Sequence, residues 1–139
     1  MMSKVEINWK GNMSFETESN GHIIKLDAGP AVGGNNNGFS PKPLMLISLA
    51  GCTGMDVVAI LTKMKIEFKS FNIIVEAELT ENHPKHYFKL KVVYEFSGTN
   101  LDLKKIEKAV KLSVDQYCGV MAVYKKTMEI KTEIKILNE

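Results

Sequence analysis

The sequence predicts an α+β fold in which antiparallel sheets surround one long central helix, in the order βββ-α-ββ-α-α-β. Two observations carry this prediction. A mostly apolar stretch runs without a break from Ser40 to Lys65, and the segments on both sides of it alternate apolar and polar residues as strands do. The apolar faces of such strands need a helix to cover them, which is the layered arrangement of an α+β domain.

The chain has the size and composition of one globular domain, so we expect a single domain over residues 1–139. The net charge of +2 is too small to predict binding to nucleic acid or to a membrane. The first residues lack the apolar core of a signal peptide, which predicts a cytoplasmic location with reduced thiols. All 18 basic residues are lysine, so no arginine is present for bidentate binding of an anion.

Three short strands are predicted before the long helix. The alternating segments cover residues 5–9, 13–15 and 24–26, and Asn20-Gly21 is the preferred pair for a type I′ hairpin between the second and third strands. The segment 28–39 is rich in glycine and asparagine, so we expect a flexible flap that leads into the helix.

The long helix has signals at both ends. Ser40 is a good N-cap, Pro41 suits the first helical position, and Lys63 lies at the carbonyl end, where the helix dipole favours a cation. Beyond the first turn the only charge before Lys63 is Asp56, and apolar residues occupy every face. We therefore expect the rest of the fold to surround this helix. Asp56 and the neighbouring strands argue against a membrane span.

The second half of the chain continues the alternation of strands and helices. Two long antiparallel strands are predicted over 71–79 and 88–96, followed by an amphipathic helix that Asp102 caps. A short buried helix over 118–124 and a last strand over 128–136 complete the order.

Two cysteines are the candidates for chemistry. Cys52 lies one helical turn from both Ser48 and Asp56, so the three form a polar stripe that should line a pocket or meet polar groups of another element. Asp56 would raise the pKa of the Cys52 thiol, whereas Cys118 at a helix start would have its thiolate favoured by the free N–H groups of Gly119 and Val120. From the residues alone either thiol could be the nucleophile, and Cys52 also suits a plain core position.

No metal site is expected from the sequence. The three histidines are scattered over turn positions, and two cysteines that are distant in sequence do not make a zinc site.

The stretch SPKPLMLISLAGCTGMDVV at 40–58 and YCGV at 117–120 resemble the OsmC/Ohr family of osmotically induced and organic-hydroperoxide-resistance proteins. The resemblance implies an OsmC-like fold built as an intertwined homodimer, with active sites at the subunit interface. It implies a thiol peroxidase that reduces organic hydroperoxides or hydrogen peroxide in oxidative-stress defence, without metal or organic cofactor. By the same resemblance Cys52 is the peroxidatic cysteine, Cys118 the resolving one, and an external thiol the reductant.

The chain also departs from that family pattern. Studied members hold the reactive thiolate with an arginine and a glutamate; this chain has no arginine, and Lys42-Pro43 stand where the glutamate is expected. Gly119 replaces the proline that usually follows the second cysteine. Lys10 or Lys42 is the candidate substitute for the arginine. The alternative function is a non-catalytic OsmC-like ligand-binding or interaction protein in which the cysteines are incidental.

Overall fold

The computed structural model of the chain describes residues 1–137 and divides into two compact units, one formed by Met1–Met45 and one that begins at Leu46. The order of elements is the predicted βββ-α-ββ-α-α-β, with short additional helical turns. The prediction of a single domain over 1–139 stays a prediction.

The first unit contains a three-stranded antiparallel sheet. Its strands are β1 (Asn8–Gly11), β2 (Ser14–Ser19) and β3 (His22–Leu26), in the spatial order β1-β2-β3. Ser19 pairs with His22, and the two residues between them, Asn20 and Gly21, have φ values of 52° and 79°. Positive φ at both positions is what a type I′ turn requires, so the predicted hairpin is confirmed.

The segment after β3 is more ordered than its composition suggests. It contains a 3₁₀ turn at Pro30–Val32 and is tied to β3 by backbone hydrogen bonds that Asp27 and Phe39 donate. The Asp27 carboxylate, only 4% exposed, accepts the backbone N–H groups of Ala28 (2.7 Å), Asn35 (3.3 Å) and Asn37 (3.0 Å). One carboxylate thus organises the glycines and asparagines around itself. Apart from the 3₁₀ turn, residues 27–38 have no regular secondary structure, and the flexibility of the flap stays a prediction.

The long helix α1 (Pro41–Lys63) begins at the predicted proline. Its fully buried residues recur every fourth position and so form one stripe: Leu49, Thr53, Val57 and Leu61. Ile47, Met55 and Val58 on its other faces are 51%, 76% and 40% exposed. The expectation that the rest of the fold surrounds the helix is thus wrong, because a single chain leaves these faces of α1 uncovered. Of the described helices, α1 alone has the length and hydropathy of a membrane span, a test that core helices of soluble proteins also pass.

The second unit contains another three-stranded sheet, with β5 in the middle. The strands are β4 (Ser70–Leu79), β5 (Tyr87–Ser97) and β6 (Glu129–Leu137). β5 runs antiparallel to β4, as predicted, and parallel to β6. Alternate residues of β5 are buried against the stripe of α1, namely Leu90, Val92, Tyr94 and Phe96.

Two helices close the core of the second unit. In α2 (Leu103–Leu112) the side chain of Asp102 accepts the N–H of Lys105 at 3.2 Å, which confirms the predicted cap. A π-turn (Ser113–Tyr117) follows directly, and α3 (Gly119–Tyr124) begins after Cys118. The π-turn, which the sequence analysis did not predict, sets the position from which Cys118 enters the core.

Candidate active site

The structure brings together two cysteines that are far apart in sequence. Cys52 lies in the middle of α1, and Cys118 is the N-cap residue of α3. Their sulfur atoms and a carboxylate oxygen of Asp56 all lie within 4.8 Å of one another. We call these three residues the dithiol cluster. The expectation that the polar stripe of α1 meets another element holds for Cys52 and Asp56, whereas Ser48 is exposed.

Cys118 is the buried member of the dithiol cluster. Its side chain is 3% exposed, and its Sγ accepts the N–H of Met121 at 3.3 Å. Burial, the largest effect, acts together with the neighbouring Cys52 and Asp56 to raise the pKa of the Cys118 thiol to about 11, against the lowering effect of the Met121 N–H. The predicted cap is present and its N–H group favours the thiolate, but it is that of Met121, not of Gly119 or Val120, and the desolvation of the buried thiol outweighs it.

Cys52 differs from its partner in exposure. It is partly buried, and both sulfurs are free thiols. Of the two residues, Cys52 is therefore the more exposed one. This difference in access separates two thiols that sequence reasoning could not rank.

A chain of buried hydroxyl groups supports the carboxylate of the dithiol cluster. The Ser113 hydroxyl donates to Asp56 Oδ2 at 3.1 Å and lies 2.8 Å from Thr53 Oγ1. Thr53 Oγ1 is in turn 2.8 Å from the Tyr94 hydroxyl, and burial raises the pKa of Tyr94. Thr53, Ser113 and Tyr94 are all 0% exposed. These buried hydroxyl groups therefore hold one carboxylate oxygen of Asp56 from the core side.

Sequence reasoning did not single out these hydroxyl residues as part of a site. A signal was available for Thr53, since it follows Cys52 directly and falls on the apolar stripe of α1, where a hydroxyl needs a buried partner. Ser113 could not have been paired with it, because the pairing depends on the π-turn that follows α2.

A cavity of about 520 Å³ adjoins the dithiol cluster at Asp56. Its volume lies in the range of small-molecule sites. The walls are mostly apolar, and the polar groups in them are the Asp56 carboxylate, the Lys63 ammonium and the Tyr117 hydroxyl; the apolar lining residues are Ala59, Ile60, Met64 and Leu112. An apolar molecule that carries one polar group fits this lining.

The dithiol cluster is also the candidate metal-binding group. Within residues 1–137 it is the one set of three or more His, Cys, Asp or Glu side chains whose ligand atoms come this close together. The histidines take no part in it.

Comparison with known proteins identifies the family. The sequence profile described as OsmC-like protein matches residues 33–133, a range that contains the whole dithiol cluster. This chain belongs to the OsmC-like family. Among curated relatives, Protein YhfA of Escherichia coli K12 is 26% identical over 137 residues, which cover 96% of this chain and 98% of that protein.

Solved structures of other proteins share the fold. A hypothetical protein from Aquifex aeolicus VF5 superposes with a TM-score of 0.87 at 29% identity, covering 100% of this chain and 98% of that one. An organic hydroperoxide resistance protein OsmC from Legionella pneumophila superposes with a TM-score of 0.68 at 18% identity, covering 97% of each chain. The predicted α+β fold and the predicted OsmC/Ohr family are confirmed.

Proposed function

We propose that this OsmC-like protein is a cytoplasmic thiol-dependent peroxidase that reduces organic hydroperoxides or hydrogen peroxide through Cys52 and Cys118. The observation that carries the proposal is the approach of the two sulfurs to within 4.8 Å. Membership of a family with hydroperoxide resistance proteins among its structural neighbours supports the same assignment.

The proposed reaction has two thiol steps. The Cys52 thiolate attacks one oxygen of the hydroperoxide, the O–O bond breaks, and the second oxygen takes up a proton and leaves as an alcohol, or as water when the substrate is hydrogen peroxide. Cys52 is then a sulfenic acid. The Cys118 sulfur attacks Cys52 Sγ, water leaves, and a disulfide joins the two residues. An external thiol reductant restores both thiols by disulfide exchange, so no metal or organic cofactor takes part.

Exposure and pKa favour this division of roles. The raised pKa of Cys118 keeps it a neutral thiol at pH 7 and thus a poor first attacker. A resolving cysteine does not need to meet the substrate, only the oxidised partner beside it. Cys52, which is more exposed, meets the hydroperoxide.

The cavity beside Asp56 is the proposed entry for a small-molecule substrate. Its apolar walls suit the organic part of a hydroperoxide, and Asp56 of the dithiol cluster is one of its lining residues. Asp56 does not replace the arginine of studied family members, because a carboxylate repels a thiolate. It is suited instead to accept the proton that a thiol releases.

The absence of an arginine is the observation that favours the rival, non-catalytic function. Lys10, one candidate replacement, lies 3.9 Å from Glu16 and is thus already paired. Lys42, the other candidate, is exposed in the first turn of α1, more than two helical turns from Cys52. With a carboxylate and no arginine beside the thiols, a non-catalytic OsmC-like protein could use the apolar cavity to hold a ligand. The test below separates the two functions.

We propose a homodimer as the working assembly. Large apolar side chains are exposed on α1 and on the first sheet of the single chain, among them Met55 at 76%, Trp9 at 65% and Ile23 at 63%. Such surfaces are typical of a protein–protein interface. The proposal includes neither nucleic acid nor membrane as a partner.

The enzyme is tested by the rate at which its thiols are lost to cumene hydroperoxide. The wild-type chain should lose two thiols, faster than free cysteine at the same pH. In Cys118→Ser the reaction should stop at a Cys52 sulfenic acid that dimedone traps, because the resolving thiol is gone. In Cys52→Ser the remaining Cys118 should react no faster than free cysteine.

The rival function predicts a different pattern. If both variants and the wild type lose thiols no faster than free cysteine, the peroxidase is excluded and the ligand-binding protein remains. Faster oxidation of Cys118 in Cys52→Ser would reverse the two roles.

A further inference from the structure

The ligand types of the dithiol cluster point to a metal that the sequence did not predict. Cys52 and Cys118 offer two sulfurs, and Asp56 offers a carboxylate oxygen, from two separate elements. Two sulfurs and one oxygen suit Zn²⁺, which binds thiolates and carboxylates, whereas Mg²⁺ and Ca²⁺ require oxygen ligands. Cys52 and Cys118 are far apart in sequence, which predicts no zinc site, but the fold brings their sulfurs close together.

The spacing of the three ligand atoms is close to that of a tetrahedral zinc site. With Zn–S bonds of about 2.3 Å and Zn–O bonds of about 2.1 Å, the ligand atoms of such a site lie roughly 3.5 to 3.8 Å apart. Here all three lie within 4.8 Å of one another. A tetrahedral site requires the most distant pair to approach by at most about 1 Å, and the fourth position is left to water.

Each of two ligands is held by a donor outside the cluster. The N–H of Met121 donates to Cys118 Sγ at 3.3 Å, and the Ser113 hydroxyl donates to Asp56 Oδ2 at 3.1 Å. Such second contacts orient metal ligands and strengthen metal binding. Cys118 is only 3% exposed, so the residues packed around it restrict the movement of its sulfur.

The charge around the cluster favours a cation. In the described part of the chain from Leu46 onward, the lysine ion pairs involve other carboxylates, and Asp56 takes part in none of them. Two thiolates beside Asp56 would put three negative charges in a largely buried place, whereas Lys63, which lines the same cavity, carries one positive charge. A divalent cation supplies the missing charge, and the cavity at Asp56 supplies a route to it.

We propose that the reduced dithiol cluster binds one Zn²⁺ through Cys52 Sγ, Cys118 Sγ and the Asp56 carboxylate. Each zinc displaces two thiol protons, one from each cysteine. The inference stands on the ligand geometry and does not need peroxidase activity. Where the proposed function holds, zinc shields both sulfurs from hydroperoxide, and the disulfide form cannot bind it.

The test uses the fully reduced, metal-free protein and Zn²⁺ in competition with a chromophoric chelator. We expect one zinc per chain. Cys118→Ser should weaken binding by more than about 100-fold and Asp56→Asn by about 10- to 100-fold, whereas Glu107→Gln, which removes an exposed carboxylate on α2, should leave the affinity unchanged. Protein that has been oxidised to the disulfide should bind no zinc.

Cobalt substitution reads the ligand set directly. Co²⁺ in the wild type should give the intense visible bands of tetrahedral coordination and a sulfur-to-cobalt charge-transfer band, and the latter should fall in both serine variants. Octahedral Co²⁺, equal zinc affinity in Cys118→Ser and wild type, or an Asp56→Asn variant that matches Glu107→Gln would each overturn the site. Thiol loss to hydroperoxide in zinc-free protein is a separate measurement, so failure of the peroxidase and failure of the zinc site can be told apart.

Discussion

A single hydroxyl joins the core of the second unit to its candidate site. Thr53 Oγ1 lies 2.8 Å from both Tyr94 OH and Ser113 Oγ, and all three side chains are fully buried. Removal of this hydroxyl leaves two buried polar groups with one partner fewer each. Unmade hydrogen bonds in a buried place are costly, so Thr53 contributes to stability as well as to the placement of Asp56.

Thr53→Val tests that contribution, because it removes the hydroxyl and keeps the shape. We expect the free energy of unfolding to fall by about 1 to 3 kcal/mol, measured by urea denaturation at fixed protein concentration. Thr62→Val is the matched control on the same helix, since the Thr62 hydroxyl is exposed and bonds only to its own helix at Val58 O. It should change stability by less than about 0.5 kcal/mol. Equal losses in the two variants would contradict the buried network.

Some residues of the candidate site could be predicted from the sequence, and others could not. Cys52 and Cys118 could be singled out because reactive residue types stand at recognisable positions, one on an apolar helix and one before a short one. Their proximity could not be derived from spacing, since it depends on how α1 packs against the π-turn and α3. The pKa of Cys118 could not be derived either, because burial, which opposes its thiolate, depends on tertiary packing.

At the scale of elements, periodic segments were predictable and tight turns were not. The 23 residues of α1 and the long strands β4 and β5 follow from regular patterns of apolar residues. The π-turn has no such pattern, because it differs from α2 only in its hydrogen bonding, with Cys118 N–H donating to Ser113 O at 2.8 Å. The parallel pairing of β6 with β5 likewise depends on a connection that sequence does not orient.

The carboxyl group of Asp27, in the loop after β3, predicts how the stability of the protein depends on pH. Hydrogen bonds from backbone N–H groups, that of Asn37 foremost, lower the pKa of the Asp27 carboxyl against the opposing effect of burial. A carboxyl with a lowered pKa in the folded state stabilises the fold above its unfolded pKa of about 4, and this contribution is lost as pH falls through the folded pKa.

Asp27→Asn should therefore be less stable than the wild type at pH 7, and the difference should shrink as pH falls below about 4. Urea denaturation at several pH values measures it. Glu18→Gln, which removes an exposed carboxylate of the same unit, is the control and should follow the wild type throughout. A difference for Asp27→Asn that stays constant from pH 7 to pH 3 would contradict the role of the charge.

For the whole molecule, the exposed faces of α1 are the feature that one chain leaves unexplained. The helix buries one stripe, and an apolar hollow of about 540 Å³ lies on another of its faces, between Met55 and Val58 of α1 and Phe71 and Ile73 of β4. A helix this apolar is stable in water only when further surface covers it. A second copy of the chain is the proposed cover.

The dimer is tested by analytical ultracentrifugation. The wild type should sediment as a dimer at micromolar concentration, with an interface of about 2,000 Å² or more. Met55→Asp places a charge in the proposed interface and should shift the equilibrium to monomer, whereas Lys85→Asp in the loop after β4 should leave the dimer intact. A wild-type monomer, or an unchanged dimer in Met55→Asp, would contradict this face as the interface.

The central claim is that Cys52 and Cys118 form one redox pair, and the most direct test is to locate the bond that they form. The reduced, zinc-free protein is treated with one equivalent of cumene hydroperoxide, alkylated, digested and mapped by mass spectrometry. The account predicts an intramolecular disulfide between Cys52 and Cys118, with two thiols consumed per hydroperoxide. Recovery of Cys118 as a free thiol beside an over-oxidised Cys52, or a disulfide between two copies of Cys52, would contradict it.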